Sequence, residues 1–228
     1  MVALILADGD APTRAQMEAA WPGWDDAVDL VVAADGGARH SASLGVRVDL
    51  WVGDGDSLGE DGIAALAAAG VPIERSRPDK DETDVELAVF AAVARGAEDL
   101  VILGALGGDR IDHALANVAL LASPGLVGRT AVLLDARSRI SLLRGPLADG
   151  SPARLALHGA AGSIVSLLPF GGDAEGVTTD GLAYSLAGET LPLGPARGVS
   201  NVIARRGASV SLRRGLLIVV ESLLRSGS

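Results

Sequence analysis

Short apolar runs alternating with helical patterns occupy the first 137 residues, and this alternation restricts the fold more than any other feature of the chain. Residues 2–6, 30–34, 50–52, 71–74, 100–103 and 130–134 read as strands, and 14–20, 38–44, 61–69, 85–94 and 112–121 as helices. Strands separated by single helices are the mark of a parallel α/β sheet, because a parallel connection needs a crossover. The helix near Val85 has a defined start, since Thr83 followed three residues later by Glu86 fits a capping box. Beyond residue 137 the texture changes. Runs at 153–158, 163–168, 190–193, 209–212 and 216–220 are strand-like, and Gly, Pro and Asp turns replace helices between them. Arg137, Arg139, Arg144, Gly145, Pro146 and Asp149 cluster at the change. The expected architecture is a Rossmann-like parallel α/β domain over 1–137, followed by an all-β sandwich domain over 138–228.

Charge narrows the function. With 29 acidic and 19 basic residues the net charge is -10, which disfavours a nucleic-acid binder, since such proteins need a basic face to displace counterions. Hydrophobic residues at 49% and charged residues at 21% supply a core and exclude the disordered class. The chain has no cysteine, so disulfides and thiolate chemistry are excluded. No apolar run approaches the ~20 residues that span a bilayer. The N-terminal apolar run meets Asp8 without a basic segment before it, so a cytoplasmic protein without a membrane partner is expected.

Several of the expected strands end alike. Leu6 leads to Asp8-Gly9-Asp10, Ala34 to Asp35-Gly36-Gly37, Val52 to Gly53-Asp54-Gly55-Asp56-Ser57, and Leu103 to Gly104 and then Gly107-Gly108-Asp109. In open α/β sheets ligands bind outside the carboxyl ends of the strands, so these turns converge on one rim. Glycines there let backbone amides approach a phosphate closely. Asp54 and Asp56 are carboxylates one residue apart, whose repulsion a hard divalent cation relieves; magnesium, which binds carboxylates together with substrate phosphates, is the natural choice.

Lys80-Asp81-Glu82-Thr83-Asp84-Val85-Glu86 leads into a helix, where acidic residues also complement the helix dipole. Lys80 is the only lysine, and every other basic residue is an arginine. A lysine retained here suits a compact ammonium on phosphate oxygens, and Asp84 is placed to complete a magnesium site with Asp54 and Asp56. Arg110 follows the Gly107-Gly108 turn as a fork of donors, while His113 and Asn117, four residues apart, share a helix face. The chain has no Gly-x-x-x-x-Gly-Lys-Ser/Thr loop, no complete Gly-x-Gly-x-x-Gly fingerprint after the first strand and no Gly-x-Ser-x-Gly elbow.

In this order, Asp35-Gly36-Gly37, Gly53-Asp54-Gly55-Asp56-Ser57, Lys80-Asp81-x-Thr83-Asp84-x-Glu86, the segment from Gly107-Gly108 to Asp112-His113 with Asn117, and the late Gly198-Val199-Ser200-Asn201 resemble the thiamine pyrophosphokinase family. The resemblance covers essentially the whole chain. It implies transfer of the pyrophosphoryl group of ATP to the hydroxyl of thiamine, giving thiamine diphosphate and AMP. It implies magnesium on Asp54, Asp56 and Asp84, and a phosphate and nucleotide region lined by Asp35, Gly36, Gly37, Lys80, Asp81, Thr83, Gly107, Gly108, Arg110, Asp112, His113 and Asn117. Ser200 and Asn201 seat thiamine on this reading, and the family is typically a homodimer to whose interface the β unit contributes. Two departures stand out. Asp109 is an extra residue before Arg110 relative to a Gly-Gly-Arg-x-Asp-His pattern, and Val202, Ile203 and Ala204 follow Ser200-Asn201 where some relatives carry an aromatic. Tyr184 and Phe170 are the nearest aromatics, both upstream. The residues leave Asp81 and Asp112 open as acceptor of the thiamine proton. The alternatives to this reading are a pyrophosphokinase acting on a pterin alcohol, a sugar-nucleotide transferase built on Asp54-Gly55-Asp56, and a non-catalytic nucleotide or thiamine regulator.

Overall fold

A computed structural model describes residues 1–223, and the chain divides into two compact units, Met1–Ala136 and Arg137–Ser228. In the first, β1 (Val2–Leu6), β2 (Val28–Ala34), β3 (Leu50–Gly53), β4 (Ile73–Arg75), β5 (Asp99–Leu103) and β6 (Thr130–Leu134) form a parallel sheet in the order β6-β5-β1-β2-β3-β4. Residues 3–6 of β1 are buried on both faces, which is why it reads as a continuous apolar run instead of an alternation. Helices α1 (Arg14–Ala20), α2 (Ser41–Leu44), α3 (Gly59–Ala68), α4 (Asp84–Ala94) and α5 (Ile111–Leu120) lie between the strands. Helix α4 turns Val85, Ala88, Val89 and Ala92 inward at i, i+3, i+4 and i+7, the spacing of one helical face. Each buried valine there contributes about 1.5–3 kcal/mol.

The expected helix over 38–44 is shorter than its alanine and serine content suggests. The chain leaves β2 through a 3-10 turn, Asp35–His40, and only Ser41–Leu44 is α-helical. Packing imposes the turn, because a Cβ on Gly36 would collide with the Asp8 carboxylate and one on Gly37 with the Leu6 carbonyl.

The second unit holds two antiparallel sheets. One runs β12-β9-β14-β7, from Asn201–Val202, Ile164–Pro169, Gly215–Ser222 and Ser138–Gly145. The other runs β11-β10-β13-β8, from Ala187–Leu191, Ala174–Asp180, Ser209–Leu212 and Ala153–Ala156. Val165, Leu167, Leu217 and Val219 of the first sheet share a core with Val177, Leu191, Val210 and Leu212 of the second, which makes the unit a sandwich. Three strands escape the sequence pattern, β7, β10 and the two-residue β12. Strand β7 carries Arg139, Ser141 and Arg144 and reads as a turn cluster, and β10 holds Gly176 at φ 68 inside an irregular register. Among the described residues no helix is long and apolar enough to cross a membrane.

Candidate active site

Strand order in the first unit reverses at β1, which lies between β2 and β5. That reversal opens a crevice at the carboxyl ends of β1 and β5. Ala7 N–H donates to the Leu103 carbonyl at 2.8 Å and Gly9 N–H to the Gly104 carbonyl at 2.9 Å, so the two turns run side by side. Gly104 sits at φ 69, where only glycine is unstrained. A cleft of about 440 Å³ follows from this arrangement, lined by Asp8 and Gly9 after β1, Asp35 after β2, and Asp54, Asp56 and Ser57 after β3. Lys80, Glu82, Thr83 and Asp84 line it ahead of α4, and Gly107, Gly108, Arg110, His113 and Asn117 at the start of α5.

Asp35 organises the floor. It is 2% exposed and adopts φ 40, a left-handed conformation that costs a non-glycine residue about 1–3 kcal/mol. Its carboxylate accepts from Ser57 N–H at 2.9 Å and Leu58 N–H at 3.2 Å, and its carbonyl accepts from Trp51 Nε1 at 3.0 Å. These bonds clip the Asp54–Ser57 turn to the end of β2. Burial raises the Asp35 carboxyl above its ordinary value; Ser57 and Leu58 pull it down, and the neighbouring Asp56 and Asp84 push it up again.

Asp54 is tied on both sides. Oδ1 accepts from Asp56 N–H at 3.1 Å and Oδ2 from Lys80 Nζ at 3.0 Å. Lys80 Nζ also donates to Asp84 Oδ1 at 2.8 Å and to Ser76 Oγ at 3.0 Å. The Lys80 hydrogen bond holds the Asp54 carboxyl below its ordinary value. Burial alone lowers the Lys80 ammonium, yet Asp84 and Asp54 together outweigh it and raise the group. Thr83 Oγ1 accepts from Glu86 N–H at 3.2 Å, which fixes Asp84 as the first residue of α4.

Carboxylate oxygens of Asp35, Asp54 and Asp84 come within 4.8 Å of one another. The sequence suggests Asp54, Asp56 and Asp84 as the set; Asp56 lines the same cleft but is exposed, and the buried Asp35 stands in the converging group. The sequence places Asp35 in the nucleotide region but does not place it among these carboxylates, because that position depends on the left-handed backbone after β2. The donor set consists of hard oxygens, and it fits magnesium.

Arg110 forms a two-pronged pair with Asp112, Nε to Oδ1 at 2.9 Å and Nη2 to Oδ2 at 2.6 Å. The guanidinium holds the exposed Asp112 carboxyl at about 2, so Asp112 is a poor proton acceptor. Asn117 is buried and donates from Nδ2 to the Ala105 carbonyl at 3.0 Å, bracing the turn after β5. Gly108 N–H is taken by Asp10 Oδ2 at 3.1 Å. Gly36 and Gly37 are buried and shape the β2 turn without lining the cleft, and Asp81 and Asp112 are exposed outside its lining. Ser76, which no motif in the sequence marks, accepts from Lys80 through its hydroxyl oxygen.

In the second unit, Ser200 is exposed at φ 61 and its N–H donates to Ser166 Oγ at 3.1 Å. Asn201 is buried; its Oδ1 accepts from Tyr184 N–H at 3.0 Å and Val202 N–H at 2.9 Å, and its Nδ2 donates to the Tyr184 carbonyl at 2.6 Å. The amide is therefore spent on holding the Tyr184 backbone, while the Tyr184 side chain is exposed.

Residues 23–132 match the family described as thiamin pyrophosphokinase, catalytic domain, and residues 154–217 match thiamin pyrophosphokinase, vitamin B1 binding domain. Together the two matches cover most of the chain. The chain belongs to the thiamin pyrophosphokinase family. A thiamine pyrophosphokinase of Bacillus subtilis (strain 168) is 26% identical over 200 residues, which are 88% of this chain and 90% of that protein. The crystal structure of thiamine pyrophosphokinase from Bacillus subtilis superposes with a TM-score of 0.82 at 24% identity, over 98% of this chain and 99% of that one. A thiamin pyrophosphokinase family protein from Enterococcus faecalis gives a TM-score of 0.75 at 26% identity, over 97% of this chain and 98% of the other. Family membership makes the chain an enzyme, a diphosphotransferase of the thiamine diphosphokinase class. Asp35, Asp54, Lys80, Asp84, Arg110 and Asn117 lie inside the segment that matches the thiamin pyrophosphokinase catalytic domain, and Ser200 and Asn201 inside the vitamin B1 binding segment. The Asp8-Gly9-Asp10 turn precedes both.

Proposed function

We propose that the cleft of the α/β unit binds ATP with magnesium, and that the chain transfers the intact pyrophosphoryl group to the hydroxyl of thiamine, releasing AMP and thiamine diphosphate. The observation that carries this reading is the convergence of Asp35, Asp54 and Asp84, the last two bonded to one lysine, in the cleft at the carboxyl ends of the parallel strands of a chain that matches both domains of the family. Asp54 and Asp84 would hold the metal, with Asp35 and Asp56 beside them; bound there, magnesium neutralises charge on the transferring phosphates. Lys80 and Arg110 supply cationic donors to phosphate oxygens, and the Gly107-Gly108 turn leads into the start of α5, where the helix dipole favours an anion. Attack at phosphorus asks for alignment and charge neutralisation more than for a strong base, and a braced rim meets that demand. Ser200 contacts thiamine through its exposed hydroxyl, and Asn201 acts by shaping the loop that carries Tyr184. The chain works as a homodimer in the cytoplasm, without nucleic-acid or membrane partners. Incubation with ATP, magnesium and thiamine tests the reaction, and a folded protein that yields neither AMP nor thiamine diphosphate would falsify it.

A further inference from the structure

Lys80 is doing something other than waiting for a phosphate. Its ammonium has three N–H donors, and Asp54, Asp84 and Ser76 take them at 3.0, 2.8 and 3.0 Å. The Lys80 and Asp54 side chains are each only 13% exposed. Asp35, Asp54, Asp56 and Asp84 crowd the same floor, where carboxylates without a cation between them repel. We propose that Lys80 is the internal counter-cation of the metal-free site, occupying the place between Asp54 and Asp84 that magnesium takes, and that metal binding frees it toward the phosphate oxygens. The inference rests on the metal-nucleotide reading above and extends it from where the metal sits to how the site is held before the metal arrives.

Residue type and location both favour this role. An ammonium on a flexible four-carbon stem can satisfy three acceptors around a point and then swing away, which a planar guanidinium cannot. Lysine stands here in a chain whose other basic residues are all arginine. Arg77, Pro78, Asp79, Asp81 and Glu82 around it are exposed, so the segment can rearrange without disturbing the core. Metal binding and release of Lys80 are then one exchange of cations. Asp54 and Asp84 stay compensated throughout, and the lysine becomes available only when the metal is in place.

The single lysine makes the test direct, since the full chain offers an acylating reagent only Lys80 and the N-terminal amine. Acetylation of Lys80 by an N-hydroxysuccinimide ester, followed by mass spectrometry with the N-terminal amine as internal reference, should be slow in EDTA. It should accelerate about fivefold or more with saturating magnesium alone as the ammonium loses its partners. Adding ATP with magnesium should slow it again. In parallel, manganese binding followed by electron paramagnetic resonance without nucleotide should be about tenfold tighter in Lys80→Met than in the wild type. A Lys80 acetylation rate that magnesium leaves unchanged or lowers, or a Lys80→Met affinity no tighter than wild type, overturns the proposal. If the wild type still binds manganese with ATP in that case, the metal-nucleotide reading stands and only the counter-cation role is lost. If neither protein binds manganese with or without ATP, both fall.

Discussion

Asp35 in the α/β unit and Glu221 in the β unit are buried carboxylates, 2% and 1% exposed, and each accepts two backbone N–H groups. Their surroundings differ in sign. Around Asp35 stand Asp56 and Asp84, and its carboxyl is raised. Around Glu221 stand His158, with Nδ1 at 3.6 Å, and Arg139, with Nε at 3.9 Å. Burial raises Glu221, but His158 and the N–H groups of Gly159 and His158 outweigh it and hold the group below its ordinary value. Asn117 and Asn201 differ less, since both are buried and both brace a turn. The β unit thus pairs its buried charge internally, and the α/β unit leaves part of its own uncompensated at the rim where a ligand cation supplies the balance.

Four measurements break or sharpen this contrast. The largest expected effect is on chemistry. Asp54→Asn should lower thiamine diphosphate formation by about 10³-fold, with a thermal unfolding midpoint close to wild type. A large loss of stability instead would mean that the rim is structural. Next, Glu221→Ala should destabilise the protein by about 3–5 kcal/mol in urea titrations, because Arg139 and two N–H groups lose their buried partner. A loss below ~1 kcal/mol would erase the distinction between the units. Asn201→Ala should cost about 1–3 kcal/mol through unsatisfied backbone groups at Tyr184, and limited proteolysis should then cut near that residue.

The smallest effect is one of pH slope, and it carries opposite signs in the two units. Glu221 is depressed from 4.5, so its contribution to stability is present above that value and lost as pH falls through its folded pKa. Asp35 is raised from 3.8, so its contribution is present below that value and lost as pH rises through its folded pKa. Unfolding free energies between about pH 3 and 7 should therefore show the gap between wild type and Glu221→Gln widening with pH, and that between wild type and Asp35→Asn narrowing. Parallel curves would refute the contrast.

Much of the α/β unit was legible because its signals are local. Strands 2–6 and 130–134 and helix 14–20 stand where apolar runs and alanine-rich spacing place them, and Thr83 caps α4 as its hydroxyl predicts. In the β unit the alternation fades where polar residues enter the interior. Strand β7 hides behind Arg139 and Ser141, because the partner of Arg139 is Glu221, far along the chain. The same limit governs the site. Asp54, Lys80 and Asp84 were visible as spaced charged residues and Asp35 as a turn aspartate of the nucleotide region, but Ser76 and the place of Asp35 among the converging carboxylates were not, since the first matters only through the Lys80 ammonium and the second depends on a positive φ.

The sequence by itself determined the two-part architecture, the glycine and aspartate turns at the strand ends and the presence of one lysine among arginines, because these follow from periodicity and residue chemistry within short windows. Only the tertiary structure decided which three carboxylates meet, that Lys80 already fills the space between Asp54 and Asp84, and that Asn201 holds Tyr184. Each of these depends on where a parallel sheet reverses its strand order or on how two β layers close, and the distances that set electrostatic coupling between residues far apart in sequence exist only once the chain has folded.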